Sequence, residues 1–143
     1  MHHGRIQLWR AVPLALPTDR TRARRGRASW QSGAAAEEAV ARRYQAKGAK
    51  VLHRRLRTPE GELDLVLEQD GLTIFVEVKR CRASDHPPVS DRQWRRLANA
   101  ALHYMMRAQN ETGVQPVCRF DVALAGPDGQ LRIIENARGF DEH

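Results

Sequence analysis

Cysteines and long apolar runs are scarce in this sequence, and each scarcity excludes a class of protein. The two cysteines, Cys81 and Cys118, form no CxxC motif and have no metal-ligand spacing to a histidine. This pattern indicates reduced thiols in a cytoplasmic protein, not a disulfide framework or a cysteine–histidine metal site. No apolar run approaches the length of a transmembrane helix, so no membrane partner is expected. The 143 residues suit one domain that buries its core without such staples.

Acidic residues are almost missing from the first part of the chain. Residues 1–32 contain seven arginines but a single acid, Asp19, whereas the remainder has seventeen basic and sixteen acidic residues. Most of the net charge of +7 therefore belongs to residues 1–32. The apolar stretch there is short and broken by Pro13, which fits a signal peptide poorly. We predict a disordered basic arm over 1–32, with weak phosphate contacts, and one domain over 33–143.

A β-hairpin over residues 61–82 is the central feature of this domain. Asp70-Gly71 is a two-residue turn that tolerates positive φ, and apolar residues alternate with polar ones on both arms. The alternation predicts one apolar face and one face of charged side chains. The apolar set is Leu63, Leu65 and Leu67 with Ile74, Val76 and Val78, and the charged set is Glu62, Asp64, Glu77 and Lys79.

The register of this hairpin brings two carboxylates together. Pairing Gln69 with Leu72 places Asp64 opposite Glu77 and Glu62 opposite Lys79. Like charges that face each other across strands are destabilising, whereas a bound Mg²⁺ or Mn²⁺ would make the same pair favourable. The alternative is an ordinary solvated face, on which Glu62 and Lys79 form a cross-strand ion pair.

The remaining segments predict two helices and three further strands around the hairpin. A helix is expected over 34–47 with Ser32 as N-cap, a strand over 51–57, a second helix from Ser90-Asp91 to about Gln109, and strands over 117–125 and 130–135. In the 117–125 strand, Cys118, Phe120, Val122 and Leu124 form the buried face, and Arg119 and Asp121 lie on the other. The order α-β-β-β-α-β-β predicts an α+β domain whose mixed sheet is flanked by helices.

Several short motifs resemble a known family. They are Glu38-x-x-Ala41-x-x-Tyr44, Gly61-Glu62-Leu63-Asp64-Leu65, Phe75-Val76-Glu77-Val78-Lys79, Arg119-Phe120-Asp121-Val122 and Asn136-Ala137. In this order they resemble the YraN family of small bacterial proteins, within the restriction-endonuclease-like superfamily whose signature is Asp followed by Glu-x-Lys. The resemblance covers about residues 30–140.

The resemblance implies a role for each matching residue. Asp64 and Glu77 would be the ligands of Mg²⁺ or Mn²⁺, and Lys79 would position or activate the attacking water. Glu38 matches the acid that nuclease relatives often present from the first helix, and Glu62 lies beside the signature. The lysine that the family carries near the start of the second helix corresponds to Arg92 here. Nucleases of this fold often act as dimers, so the resemblance is also compatible with a homodimer.

Three functions are open at this point. The first is a metal-dependent nuclease acting on DNA, with branched or structured DNA as the candidate substrate and with clustered arginines on backbone phosphates. The second is a non-catalytic nucleic-acid-binding module of the same fold, and the third is a protein-interaction domain whose carboxylate face docks a basic partner. The arginines expected to contact phosphates are Arg54, Arg55, Arg57, Arg80, Arg82, Arg92, Arg95 and Arg96.

Overall fold

The computed structural model describes residues 5–7, 33–80 and 89–137, and residues 5–7 as backbone only. These segments form an α+β domain, and from residue 33 onward the elements follow the predicted order. The elements are β1 (Arg5–Gln7), α1 (Gly33–Ala46), β2 (Lys50–Thr58), β3 (Gly61–Gln69), β4 (Leu72–Arg80), α2 (Asp91–Thr112), β5 (Val117–Ala125) and β6 (Leu131–Glu135).

Local capping sets the ends of α2. The Ser90 hydroxyl accepts a hydrogen bond from the Gln93 amide at 3.2 Å, and the Gln93 side chain accepts one from the Ser90 amide at 3.0 Å. This reciprocal capping box satisfies two backbone donors that the helix leaves unpaired. At the other end Gly113, with φ of 76°, donates to the Gln109 carbonyl. The helix therefore ends at Thr112, three residues beyond the predicted end. The Ser32 cap predicted for α1 lies outside the described residues.

The strands form one mixed sheet in the order β1-β6-β5-β4-β3-β2. The β3–β4 hairpin has the predicted register, from Gln69 opposite Leu72 to Leu65 opposite Val76. Its turn residues Asp70 and Gly71 both have positive φ, 53° and 82°. β4 and β5 are parallel, since α2 carries the chain back to the same end of the sheet. Both neighbours of β4 are thus strands, so its Glu77 and Lys79 come from the interior of the sheet.

Helices α1 and α2 cover opposite faces of the sheet. Buried residues of α1 cluster with Leu65, Leu67, Ile74 and Ile133. Buried residues of α2 cluster instead with other side chains of the same strands, Leu63, Val66, Phe75 and Phe120. The sheet therefore lies between two apolar layers. No helix in the described ranges is long and apolar enough to cross a membrane.

Leu63 does not lie on the face that strict alternation predicts. It belongs to the α2 cluster, whereas Leu65 belongs to the α1 cluster. The neighbouring strand is irregular at the same level: Arg54 pairs with Leu65 and Leu56 with Leu63, which leaves Arg55 facing Asp64, and Arg55 has φ of 50°. A left-handed residue inside a strand interrupts the alternation of side chains. The prediction of one uniform apolar face over 63–67 was wrong at this point.

The second face of β5 is buried as well. Alternation placed Asp121 away from the apolar core, but its side chain is fully buried because α1 covers it. Asp121 accepts hydrogen bonds from the Tyr44 hydroxyl, the Arg119 guanidinium and the Asn136 amide. The motifs around 119–122 and 136–137 therefore join α1, β5 and the end of β6.

Part of the predicted N-terminal arm has regular structure. Arg5–Gln7 form β1, which pairs antiparallel with β6, Arg5 opposite Glu135 and Gln7 opposite Ile133. The prediction of an arm without secondary structure omitted this strand. The rest of residues 1–32 lies outside the described part of the chain.

A substitution at Gly61 tests how closely α2 packs against the start of β3. Its φ is 146°, and a Cβ atom built there would lie 3.0 Å from Cγ of Arg96. Gly61→Ala is expected to lower the free energy of unfolding by about 1–3 kcal/mol, because this conformation is essentially restricted to glycine. Chemical denaturation measures the change. Gly126→Ala is the control, with no atom closer than 3.6 Å, and an equal loss in both variants would contradict the argument.

Candidate metal and nuclease site

Asp64 lies where the two strands of the central hairpin stop pairing through their backbones. The β3–β4 ladder runs as far as Leu65 opposite Val76. At Asp64, the residue before Leu65, the Oδ2 atom accepts a hydrogen bond from the Val78 amide at 2.9 Å. A side chain thus takes the place of a backbone acceptor at this point. The contact holds the Asp64 carboxylate between the two strands, next to residues 77–79 of β4.

The structure brings Asp64, Glu77 and Lys79 together. Glu77 and Asp64 are neighbours, and the two carboxylates repel each other as like charges. The Lys79 Nζ atom lies 3.4 Å from Oε2 of Glu77, and only 11% of the Glu77 side chain is exposed. The site is therefore two adjacent carboxylates with one ammonium group, on the strand residues that the Asp…Glu-x-Lys order indicated.

The surroundings of Asp64 disfavour its charged form. Burial, and then repulsion from Glu77, raise the pKa of Asp64 from 3.8 to about 7, while the Val78 amide acts in the opposite direction. Two carboxylates that destabilise each other in this way are a donor set that a hard divalent cation would neutralise. The donor chemistry therefore fits the magnesium or manganese ion that the sequence motif implies.

The acid that α1 presents to this site is Glu37. Its side chain is 14% exposed and accepts a 2.7 Å hydrogen bond from Nε of Arg55. Burial and the carboxylates of Asp64 and Glu62 raise the pKa of Glu37, and Arg55 opposes them. Glu38, the predicted residue, is bound instead to Arg54 at 3.0 and 3.3 Å and is 44% exposed.

Sequence reasoning therefore missed Glu37. A signal was present, because Glu37 lies four and seven residues before Ala41 and Tyr44, which are both buried. Helical spacing of this kind places Glu37 on the side of α1 that faces the sheet.

Glu62 lies at the margin of the site and does not pair with Lys79. Its register partner is Arg57 on β2, whose Nε atom is 3.9 Å from Oε2 of Glu62. Its negative charge nevertheless contributes to the raised pKa of Asp64. In place of the Glu62–Lys79 ion pair of the alternative interpretation, the structure pairs Arg57 with Glu62 and Lys79 with Glu77.

The predicted phosphate-binding arginines fall into different environments. Arg54 and Arg55 are bound to glutamates of α1. The aliphatic part of Arg96 packs over Gly61, which brings this residue from α2 to the start of β3. Arg82 lies outside the described residues, and the four others, Arg57, Arg80, Arg92 and Arg95, are exposed. Of the described arginines, Arg55 lies near the carboxylates of Asp64 and Glu62, and Arg57 contacts Glu62.

Comparison with known proteins places these residues in a family context. A family model described as uncharacterised protein family UPF0102 matches residues 36–125. A UPF0102 protein of Roseobacter denitrificans is 36% identical over 124 residues, covering 85% of this chain and 95% of the relative. One from Cereibacter sphaeroides is 40% identical over 114 residues, covering 78% and 96%. One from Symbiobacterium thermophilum is 39% identical over 113 residues, covering 73% and 93%.

Proposed function

The chain belongs to the UPF0102 family, and we propose that it is a metal-dependent nuclease that hydrolyses phosphodiester bonds in DNA, structured or branched DNA in particular. This membership confirms the resemblance to the YraN family that the sequence motifs carried. The observation that supports the proposal is the placement of Asp64 beside Glu77, with Lys79 3.4 Å from Glu77. A fold alone has little use for two adjacent, largely buried carboxylates.

Asp64 and Glu77 are the residues that would hold Mg²⁺ or Mn²⁺. The described residues contain no group of three or more histidine, cysteine, aspartate or glutamate side chains arranged to bind a metal. A two-carboxylate site is nonetheless typical of Mg²⁺, which keeps several waters and shares substrate phosphates. When bound, such an ion supplies Lewis-acid polarisation of a phosphate group.

The other side chains of the site bind, orient and balance charge. The Lys79 ammonium, held beside Glu77, would stabilise negative charge that develops on the phosphate. Arg96, which packs over Gly61, would contact backbone phosphates together with Arg92 and Arg95, and all three lie on the first turns of α2. Such contacts do not read sequence. Glu37 would remain bound to Arg55 and help to position that arginine near Asp64.

Metal binding by the full chain tests the ligand assignment. Titration calorimetry with Mn²⁺ is expected to show binding to the wild type and none to Asp64→Asn, since the amide keeps the acceptor for Val78 but removes the charge. Asp128→Asn, in the exposed turn between β5 and β6, is the matched control and is expected to bind like the wild type. Equal binding by Asp64→Asn and the wild type would refute the assignment. Repeating the titration with DNA present checks whether phosphates complete the site.

Cleavage tests the role of Lys79. On branched DNA with Mg²⁺ or Mn²⁺, Lys79→Ala is expected to lower the cleavage rate by about 10²-fold or more, the usual effect of removing one group that stabilises transition-state charge. Unfolding curves should show that the variant is folded. Cleavage at the wild-type rate would remove Lys79 from the mechanism.

One observation favours the non-catalytic nucleic-acid-binding module as the second candidate. Lys79 already provides Glu77 with a counter-charge, so part of the negative charge is balanced without a metal ion. This function predicts DNA binding that is unchanged by EDTA, together with no cleavage in Mg²⁺ or Mn²⁺. Metal binding that is lost in Asp64→Asn, with metal-dependent cleavage, would exclude it.

A further inference from the structure

A second concave site lies between the outer strand β2 and helix α2. The cavity measures about 490 Å³, within the range of about 300–1,000 Å³ that is typical of small-molecule pockets. Strand β2 contributes His53 and Arg57 to its lining, and α2 contributes His103, Tyr104, Arg107 and Glu111. Rings and guanidinium groups thus line one cavity, on the face of the sheet that α2 covers.

The aromatic rings of the lining contact one another and the core. The His53 and Tyr104 rings meet edge to face, with centroids 5.5 Å apart and an angle of 79° between their planes. Tyr104 also packs against the buried Phe75, with centroids 5.7 Å apart. Burial and the charges of Glu111 and Glu68 raise the pKa of Tyr104, so its hydroxyl stays protonated at neutral pH. Aromatic rings of this kind provide a surface on which a nucleobase can stack.

The charged part of the lining suits a phosphate group. The Arg57 side chain is 91% exposed, and its contact with Glu62 is long, at 3.9 Å. Arg107 is 3.7 Å from Glu111 on the next turn of α2, and both side chains are about 70% exposed. Exposed pairs of this type contribute little to stability, so both guanidinium groups are available to an anion. Arginine is well suited to phosphate, because its planar fork can donate two parallel hydrogen bonds.

The pocket adjoins the carboxylate site. Arg57 faces Glu62 in the β2–β3 register, and Glu62 lies two residues before Asp64 on the same strand. The charge of Glu62 acts on Asp64 as well as on Arg57. Glu62 thus links Arg57 of the pocket lining to the carboxylate site.

We propose that this pocket binds one unpaired nucleotide of a nucleic acid strand, with its base against His53 and Tyr104 and its phosphate at Arg57 and Arg107. A base inside a duplex has both faces covered by its neighbours, so only an unpaired nucleotide can use the rings. The inference rests on the proposed action on DNA, and it supplies a structural reason for a preference for branched or tailed molecules over a continuous duplex.

Fluorescence anisotropy with the full chain in EDTA tests the pocket without cleavage. The probes are a blunt duplex, the same duplex with a single-stranded thymidine tail, the free tail, and a fluorescent thymidine monophosphate. His53→Ala and Arg107→Gln are each expected to weaken binding to the tailed duplex about tenfold, the effect of losing one stacking or phosphate contact. Binding to the blunt duplex should change by less than about twofold. Binding of the monophosphate would show that a free nucleotide also enters the pocket. Binding of the free tail but not of the monophosphate would show that the pocket requires a nucleotide within a strand.

Two further variants separate the pocket from general charge effects. Arg132→Gln removes the same charge from an exposed position on β6, far from the pocket in sheet order, and should leave both duplexes unaffected. Tyr104→Phe keeps the ring and should retain affinity for the tailed duplex. Equal weakening of blunt and tailed duplexes, or an equal effect of Arg132→Gln, would overturn the proposal.

These outcomes are distinct from failure of the nuclease proposal. Tail-specific binding that depends on His53 and Arg107, without Mn²⁺ binding at Asp64, would support the pocket and refute the metal site. Mn²⁺ binding without any preference for the tailed duplex would support the metal site and refute the pocket.

Discussion

An Asp121→Ala variant is expected to lose about 3–5 kcal/mol of the free energy of unfolding, the usual cost of breaking a buried ion pair from one side. The Asp121 carboxylate accepts hydrogen bonds from the Tyr44 hydroxyl at 2.7 Å, from two guanidinium nitrogens of Arg119 at 2.9 and 3.1 Å, and from the Asn136 amide at 3.0 Å. Alanine leaves all of these donors without that acceptor. Arg119, 17% exposed, would retain the Glu135 carboxylate at 3.6 Å.

Tyr44→Phe is the graded control for this network. It removes one hydroxyl while keeping the ring, so a loss of about 1–2 kcal/mol is expected. Burial and the Asp121 carboxylate hold the pKa of Tyr44 well above its ordinary value, so the hydroxyl is a donor at neutral pH. Urea denaturation at pH 7 measures both variants. A loss under about 1 kcal/mol for Asp121→Ala would show that the network is not a major source of stability.

Asp64→Asn is expected to stabilise the metal-free protein at and above neutral pH, by on the order of 2 kcal/mol. The folded protein holds the pKa of Asp64 at about 7, above the ordinary 3.8. Between these two values the folded state binds more protons than the unfolded state, so the wild type loses stability as pH rises through this window. This loss of stability is absent below the ordinary pKa of 3.8 and complete above pH 7. Asparagine carries no charge and can still accept the Val78 hydrogen bond.

Unfolding curves in EDTA from pH 4 to pH 8 test this expectation. The difference between Asp64→Asn and the wild type should be small at the acidic end and should grow toward pH 7. Asp128→Asn removes an exposed carboxylate and should follow the wild type throughout. Parallel curves for Asp64→Asn and the wild type would contradict the argument. A residue whose replacement stabilises the fold is one whose retention points to function.

From residue 33 onward, the sequence alone determined the order of the elements and the central register, because both depend on neighbours along the chain. Asp70-Gly71 selects a two-residue turn, and that turn sets every β3–β4 pair as far as Leu65 and Val76. The Ser90 cap and the apolar stripe of α2 are likewise short-range signals. Short-range chemistry was thus sufficient to bring Asp64 and the Glu77-Val78-Lys79 segment to adjacent strands.

Tertiary packing decided which charged side chains meet. Helical spacing puts Glu37 on the side of α1 that faces the sheet, but its place beside Arg55 and Asp64 depends on how α1 packs against the sheet and on the left-handed backbone of Arg55. Asp121 is buried because α1, some 77 residues away in sequence at Tyr44, covers the second face of β5. Strand alternation cannot report such contacts, because a period of two shows which residues share a face and not what covers that face.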